Sequence, residues 1–592
     1  MLKFQNKVVL VTGSGTGIGQ AIAKKFAENG ASIIILGRRK EPLDQTAKIL
    51  EEIFNKVQSK AFVKIFPGVD VSDEQLITEM FESLKKSNIN LDVIVNNAGV
   101  SGPVTCFPNS PLDEFKSTVA IHLTGTFWTS SQALLVMKTG SKIITISTFF
   151  AEERPLEQRP YRFRSPYTAS QGAKNRLAEA MSWELTGKGI ISIATNPGPV
   201  HSDRIYKTVY PKAASEFMRV SGFEDLLPLE VEKANKEIVP LLGEEESTVK
   251  KGIAQAAANL AKTKDGADSK KLEETLAKLL SKIQSIAEKI QKNTSKMIAD
   301  EQFLSQEQVA ETILALCDDS LAKILNGKVI PGDRVFYPVR PHVATTTPDV
   351  KQPDFSSKVF VFTVDATDKA DSDRVEFISE HIVKNGGKVV CLISKDSPKE
   401  CQDSIKSKFH SHVIDLKNQA EVERFLNTAK GIGILDMVIH VAGKVPDFAK
   451  ILELSRSEWD NLVDKFINTP ATVIQKAFDI FVPGGAKDPR LFKGKTGAVV
   501  VIGPDLPVGD KVSGAERAKV EVFRGALRPF TTTVNQELSD VLNSKVRSFL
   551  ILPGTIDGKK PDDEKICQAI NYFSSDNAAS LSEVIFCTDE VR

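Results

Sequence analysis

Tyr167 stands four residues before Gln171 in the stretch SPYTASQGAKNRLAEAMSWEL, residues 165–185. Residues four apart share one face of a helix, so a phenol, which can pass a proton, is set beside an amide, which hydrogen-bonds but carries no charge. A second kind of chemistry is written at residues 12–19, TGSGTGIG, between an apolar run and the helical run QAIAKKFAENGA. Glycines there permit a tight turn and let the backbone approach a pyrophosphate, while the N-terminus of the following helix draws anionic oxygens. The next apolar run, ASIIILGRR at 31–39, ends in Gly37-Arg38-Arg39. A carboxylate at this point binds the ribose hydroxyls of NAD; two guanidiniums instead suit a 2′-phosphate through planar, bidentate hydrogen bonds. These residues point to NADP(H) over NAD(H), against a plainer reading of Arg38 and Arg39 as solvated surface charges.

The elements that must position these groups recur along the chain. LDVIVNNAGV at 91–100 returns as LDMVIHVAGK at 435–444, and the flanks return with it: KVVLVTG and KVFVFTV, ASIIILGRR and GKVVCLI, KIITIS and AVVVIG, IISIATNPG and VRSFLILPG. Short Val- and Ile-rich runs that alternate with helical stretches predict βαβ units and a parallel sheet buried on both faces. The fold class is α/β, with two tandem Rossmann-like, doubly wound domains. The first is expected over 1–340, a Pro-, Thr- and Ser-rich linker over 341–357, and the second over 358–592. Residues 205–303 form an insertion in the first domain. Within it Leu272, Leu276, Leu279, Ile283, Ile286 and Ile290 make a heptad seam, and DGADS at 265–269 a turn, which predicts a helical hairpin. The seam packs either on its own domain or on another subunit, in which case the chain is a homo-oligomer.

Lys and Arg total 77 against 76 Asp and Glu, so neither nucleic acid nor a membrane surface is an expected partner. Cys106, Cys317, Cys391, Cys401, Cys567 and Cys587 form no CxxC pair and no His cluster at metal spacing, so no metal is expected. Neither a signal sequence nor a long apolar run is evident, and a cytoplasmic protein is the expectation.

TGSGTGIG, with three residues between Gly13 and Gly17, together with NNAG at 96–99, resembles the short-chain dehydrogenase/reductase family. The resemblance implies a cofactor site made by Gly13, Ser14, Gly17, Ile18, Gly19, Asn97, Ala98 and Gly99. It implies that Asp70 and Val71 bracket the adenine, and that Pro197, Gly198 and Ser202 lie near the nicotinamide. In this family a Ser, a Tyr, a Lys and an Asn move a proton to a small carbonyl substrate while the nicotinamide moves a hydride. By that correspondence Tyr167 is the tyrosine, Thr148 (after Ser147) takes the serine place, His122 the asparagine place and Gln171 the lysine place. Gln171 removes the charge that helps the tyrosine. Lys174, about 10 Å further along the helix axis, is read as too distant to replace it. For His122 two readings stand: a core histidine bonded to a carbonyl, or a proton relay to Tyr167. Arg154, Arg159, Arg162 and Arg164 in the following loop either offer counter-charge to an anionic substrate or are solvated.

The tandem layout, ISTFFAEE and NPGPVHSDRIYKT resemble a fused branch of the family, the bifunctional malonyl-CoA reductases, in their N-terminal half; the hairpin departs from that likeness. The resemblance implies reduction of malonic semialdehyde to 3-hydroxypropionate, with Arg204 holding the substrate carboxylate. In the second domain VDATDKADSD at 364–373 has no glycine, His440 and Val441 replace the asparagines, and Ala515 stands at the tyrosine place, four before Lys519. That half is expected to lack a cofactor site and to pack on the first as an intramolecular pseudo-dimer, with His440 a core residue. Two functions follow: an oxidoreductase working in the first domain, or a catalytically inactive nucleotide-binding scaffold acting in assembly.

Overall fold

Val- and Ile-rich runs of five to ten residues, too short for buried helices and β-branched, form the strands of two sheets. The computed structural model describes residues 2–149, 162–200, 209–263, 268–298, 300–332, 353–507, 512–554, 563–575, 578 and 585–587. The first sheet holds β1 (Val8–Thr12), β2 (Ser32–Gly37), β3 (Val63–Pro67), β4 (Leu91–Asn96), β5 (Met137–Ile146), β6 (Ile191–Pro197) and β7 (Val329–Gly332). The second holds β8 (Lys358–Val364), β9 (Lys388–Ser394), β10 (His410–Ile414), β11 (Ile434–Val441), β12 (Thr496–Ile502), β13 (Lys545–Leu552) and β14 (Ile585–Cys587). Their orders, β3-β2-β1-β4-β5-β6-β7 and β10-β9-β8-β11-β12-β13-β14, are the same topology twice, and every pairing is parallel. The fold is two tandem Rossmann-like domains. Among the described residues no helix is long and apolar enough to cross a membrane, and no group of side chains is arranged to hold a metal ion.

The repeat in the sequence shows five strands per half; the structure adds β3 and β7, and β10 and β14. All four are sheet edges. Central strands such as β2 and β4 are buried along almost their whole length, whereas β3 and β7 are only half-buried. Edge strands need no continuous apolar run, which is why they leave a weaker mark.

The insertion is larger than a hairpin. Helices Tyr210–Ser221, Pro228–Ile238, Glu246–Ala261 and Ser269–Ser295 make a four-helix unit. Leu272, Leu276, Leu279 and Ile283 are buried in one cluster with Val231, Ala234, Ile238, Ala256 and Leu260, and Ile286 and Ile290 pack at its margin. The seam is thus closed by the chain's own helices, the first of the two readings. Residues 265–267 of the expected turn lie outside the described residues. Glu216 ties the unit to the first domain: its carboxylate binds Arg219 at 2.6 Å and accepts from the Cys106 N–H at 2.7 Å.

The domains pack through helix Ser165–Leu185 of the first and helix Gly514–Gln536 of the second. A Cβ on Gly172 would fall on the Gly525 carbonyl oxygen and 2.8 Å from Pro529 Cγ, and one on Gly525 would lie 3.0 Å from the Gly172 oxygen. Only glycine at both places lets the two backbones come this close. Around them Thr168 and Thr533 share a hydrogen bond of 3.2 Å, and Trp459 stacks on Phe127 at 4.1 Å while its indole N–H donates to Thr124. Glu537 of the second domain accepts from the Phe107 and Phe163 N–H groups of the first, both at 2.7 Å. Burial pushes its carboxyl up to about 8, although the two amides favour the charged form. Gly172→Ala should lower stability by about 1–3 kcal/mol through overpacking, read as a shift of the urea midpoint; an unchanged midpoint would show that the helices part without cost.

Candidate active site

The first sheet reverses strand order between β1 and β4, and the cleft that opens over their C-terminal ends lies where doubly wound folds bind ligands. It measures about 1460 Å³, more than the upper range of about 1,000 Å³ for small-molecule sites, so a dinucleotide and a small substrate both have room.

One end of the cleft is lined by Gly13, Gly15, Thr16, Gly17, Ile18 and Gly19, and by Arg38, Arg39, Asp70 and Val71. The glycine turn is fixed from below. Thr12 Oγ1 accepts from both the Asn97 and Ala98 N–H groups, at 2.9 and 2.8 Å, and the Asn97 amide donates to the Thr12 oxygen at 2.9 Å. The NNAG run therefore holds the loop as well as lining the cleft through Asn97, Ala98 and Gly99. Arg38, largely exposed, is loosely paired with Asp70 at 3.6 Å, and Asp70 also accepts from the N–H and hydroxyl of Ser72.

The other end gathers Tyr167, Gln171 and Lys174 from one helix face with His122, Ser147, Arg164 and Ser101. His122 sits on a five-residue π-helical turn, Ala120–Thr124, that interrupts the helical run from Leu112 to Ala133. Such an extra residue re-aims a side chain. Its ring meets the Tyr167 ring edge-on at 5.3 Å. Nε2 lies 2.8 Å from the Val100 oxygen and Nδ1 lies 3.3 Å from the Gln171 amide nitrogen. Nε2 is also 3.2 Å from the Val100 N–H nitrogen, so the ring is held against both backbone polar atoms of Val100. Gly99 makes room, since a Cβ there would lie 3.0 Å from His122 Nδ1. His122 is thus bonded to the Val100 backbone and lies against Tyr167 and Gln171.

Gln171 is buried, and among the described residues its side-chain oxygen has no hydrogen-bond partner. A buried acceptor left unmade costs about 1–3 kcal/mol, so this atom is suited to a hydroxyl donor arriving in the cleft. Arg164, also buried, stacks its guanidinium over the Tyr167 ring at 3.9 Å and donates to the Ser101 oxygen at 3.1 Å. Arg162 instead pairs with Asp540 of the second domain at 2.7 Å. Arg162 and Arg164 are thus each held by the protein and do not form one group. Arg154 and Arg159 lie outside the described residues, as do Ser202 and Arg204.

Some expected site residues are placed elsewhere. Ser14 is buried with its hydroxyl turned to β2, accepting from the Leu36 N–H at 3.1 Å, so it braces the loop. Thr148, Pro197 and Gly198 are buried beside the cleft rather than in its lining, and Ser147 takes the place expected of Thr148. Ser147 donates to the Gln171 backbone oxygen at 2.9 Å. Lys174 lines the cleft with Gln171, and its ammonium donates to the Ile146 oxygen at 2.6 Å, so its anchor is the end of β5.

In the second domain Asp371 accepts from the Thr367, Asp368 and Lys444 N–H groups at 2.7, 3.3 and 3.3 Å, where the first domain has its glycine turn. Asp368 pairs with Lys444 at 2.8 Å. His440 is fully buried against Thr363 at 3.0 Å, and burial pulls it down to about 3.

A parallel doubly wound fold with a glycine turn and a tyrosine helix on one cleft defines a class of dinucleotide-type α/β proteins. The short chain dehydrogenase family matches residues 7–210 and 376–559, and the chain belongs to it. The second match begins past the glycine-free loop at 364–373. The chain is 30% identical over 242 residues to an uncharacterized oxidoreductase, YxbG, of Bacillus subtilis, covering 41% of this chain and 80% of that protein. It is 32% identical over 208 residues to a 3alpha-hydroxysteroid dehydrogenase of Mediterraneibacter gnavus, covering 34% of this chain and 78% of that one. Among solved structures, the C-domain with NADP of bacterial malonyl-CoA reductase superposes with a TM-score of 0.70 at 17% identity, over 96% of this chain and 94% of that one. The N-domain with NADP superposes with a TM-score of 0.68 at 15% identity, over 99% of both. The two fit about equally, so the fold does not single out the N-terminal half.

His122→Leu should cost about 1–3 kcal/mol, because it strands the Val100 oxygen and the Gln171 amide. Urea unfolding measures it, and a cost near zero would show that the ring is not held by these bonds.

Proposed function

We propose that the chain is an NADP(H)-dependent oxidoreductase that reduces a small aldehyde or ketone in its first domain, malonic semialdehyde to 3-hydroxypropionate being the first candidate. The observation that carries this reading is Tyr167 on the same cleft as the glycine turn, with the Arg164 guanidinium on its face. That contact is a cation–π interaction that fixes the phenol at the cleft.

The chain's residues fit the cofactor. Gln171 offers its unpartnered oxygen to a ribose hydroxyl, the glycine turn admits a pyrophosphate, and Arg38 and Arg39 suit a 2′-phosphate. When bound, the reduced nicotinamide would supply a hydride. Tyr167 then gives a proton to the carbonyl oxygen, and His122 holds Gln171 in place. For Ser202, near the nicotinamide amide, and Arg204, on a substrate carboxylate, the sequence resemblance is the support.

The second domain is proposed to bind no dinucleotide, because Asp371 places a carboxylate on the amides that a phosphate would need. Its role is to pack on the first domain as a pseudo-dimer within one chain. One observation favours the alternative of an inactive nucleotide-binding scaffold: the Gln171–His122 pair stands where the family holds its lysine.

NADPH oxidation with malonic and succinic semialdehyde and a panel of ketones, beside direct titration of NADPH and NADH, separates the two. Tyr167→Phe should lower kcat by about 10²–10⁴-fold with NADPH affinity nearly unchanged; equal turnover removes Tyr167 as the donor. Tight NADPH binding without turnover on every substrate would favour the scaffold. Joint replacement Arg38→Glu and Arg39→Glu should weaken NADPH about 10–100-fold and leave NADH little changed. An equal loss for both would sink the phosphate assignment.

A further inference from the structure

Lys174 is a buried cation that the roles above do not use. Its side chain is about 1% exposed, and its ammonium donates to the Ile146 oxygen at 2.6 Å. Among the described residues no carboxylate pairs with it. An unpaired buried charge is costly, and a lysine retained at such a place asks for a reason. Geometry supplies one. Ile146 is the last residue of β5, and the next residue, Ser147, donates to the Gln171 backbone oxygen at 2.9 Å. The ammonium is therefore anchored at the end of β5, beside the residue that bonds the Gln171 backbone, and its side chain lines the same cleft.

We propose that Lys174 is a positioning residue that replaces, from one turn further along the helix, the cation absent at position 171. Charged, it sets a positive field under Gln171 and the substrate end of the cleft, which stabilises the negative charge that develops as the carbonyl oxygen takes up a hydride and awaits its proton. This rests on the reductase reading.

Burial alone pulls Lys174 down to about 7. The titratable or charged groups that line the same cleft are His122 from the π turn, Arg164 and Tyr167 from the start of its own helix, and Arg38, Arg39 and Asp70 at the far end. An anionic dinucleotide in the cleft favours the charged ammonium, so binding is linked to proton uptake. The ammonium is present below the pKa, and reduction is expected to fall as pH rises through it.

Three measurements test this on the full chain. Calorimetric titration of NADPH near pH 7.5, in two buffers of different ionisation enthalpy, should show uptake of roughly half a proton by the wild type, and much less by Lys174→Met. The kcat/KM profile of the wild type should fall on its alkaline side, while Lys174→Met is about tenfold slower and lacks that limb. Lys174→Arg, charged throughout, should keep its rate to higher pH. Lys174→Met should also unfold at a higher urea midpoint, since it removes an unpaired buried charge; a lysine kept only for packing would give a lower one. Equal proton uptake and an equal pH profile in wild type and Lys174→Met would overturn the proposal while leaving the reductase reading intact. Failure of the wild type to bind NADPH or to turn over would overturn the reductase reading first, and this proposal with it.

Discussion

The close approach of Gly172 to Gly525 is the constraint on which the rest depends. The helix Ser165–Leu185 is pressed between its own sheet and the second domain, so it is buried on nearly all sides rather than along one stripe. One face turns Tyr167, Gln171 and Lys174 to the cleft, and the other sets Thr168, Gly172 and Arg176 against helix Gly514–Gln536. A helix held on both sides has little freedom to rotate, so side chains three and four residues apart keep their depth in the cleft. The second domain thus shapes the site without contributing a residue to its lining, and what it supplies is a rigid wall behind the tyrosine.

The two halves share topology but have diverged where anions matter. In the first, backbone amides of the glycine turn are left facing a cleft; in the second, Asp371 is turned onto them. A carboxylate on those amides is satisfied electrostatically at all times, so the sequence there no longer needs glycine. The π turns diverged likewise. Ala120–Thr124 centres on His122, beside Tyr167, whereas Asp464–Asn468 centres on Phe466, buried against Phe523. The same irregularity aims a polar ring in one half and fills a core in the other.

How much of this was legible follows from what each element must do. The strands buried on both faces are continuous apolar runs and were readable; the edge strands β3, β7, β10 and β14 were not, since one side of each needs no burial. The seam from Leu272 to Ile283 declared a helix, but not that two shorter helices ahead of it would close over it. In the site, the glycine turn, Arg38, Arg39, Asn97, Gly99, His122, Tyr167 and Gln171 were found by type and spacing, and all line one cleft. Ser147 was displaced by its neighbour Thr148 because adjacent residues at a strand end point in opposite directions, and the motif alone does not say which faces in. The roles of Arg164 and Lys174 depend on where long side chains travel, which no spacing rule gives.

Taken together, those two residues change how the substitution at 171 is understood. Counting motif positions, the site has lost its cation. Counting charges in space, two cations line the cleft, one stacked on the phenol from the start of the helix and one anchored to the Ile146 oxygen from a turn beyond. A field that stabilises a transition state depends on where the charge lies and how little water surrounds it, rather than on which backbone position carries it. With the charge moved off position 171, that position is free to offer an uncharged oxygen to the cleft. On the proposed reading, Gln171 belongs to a site whose electrostatics are redistributed along one helix face.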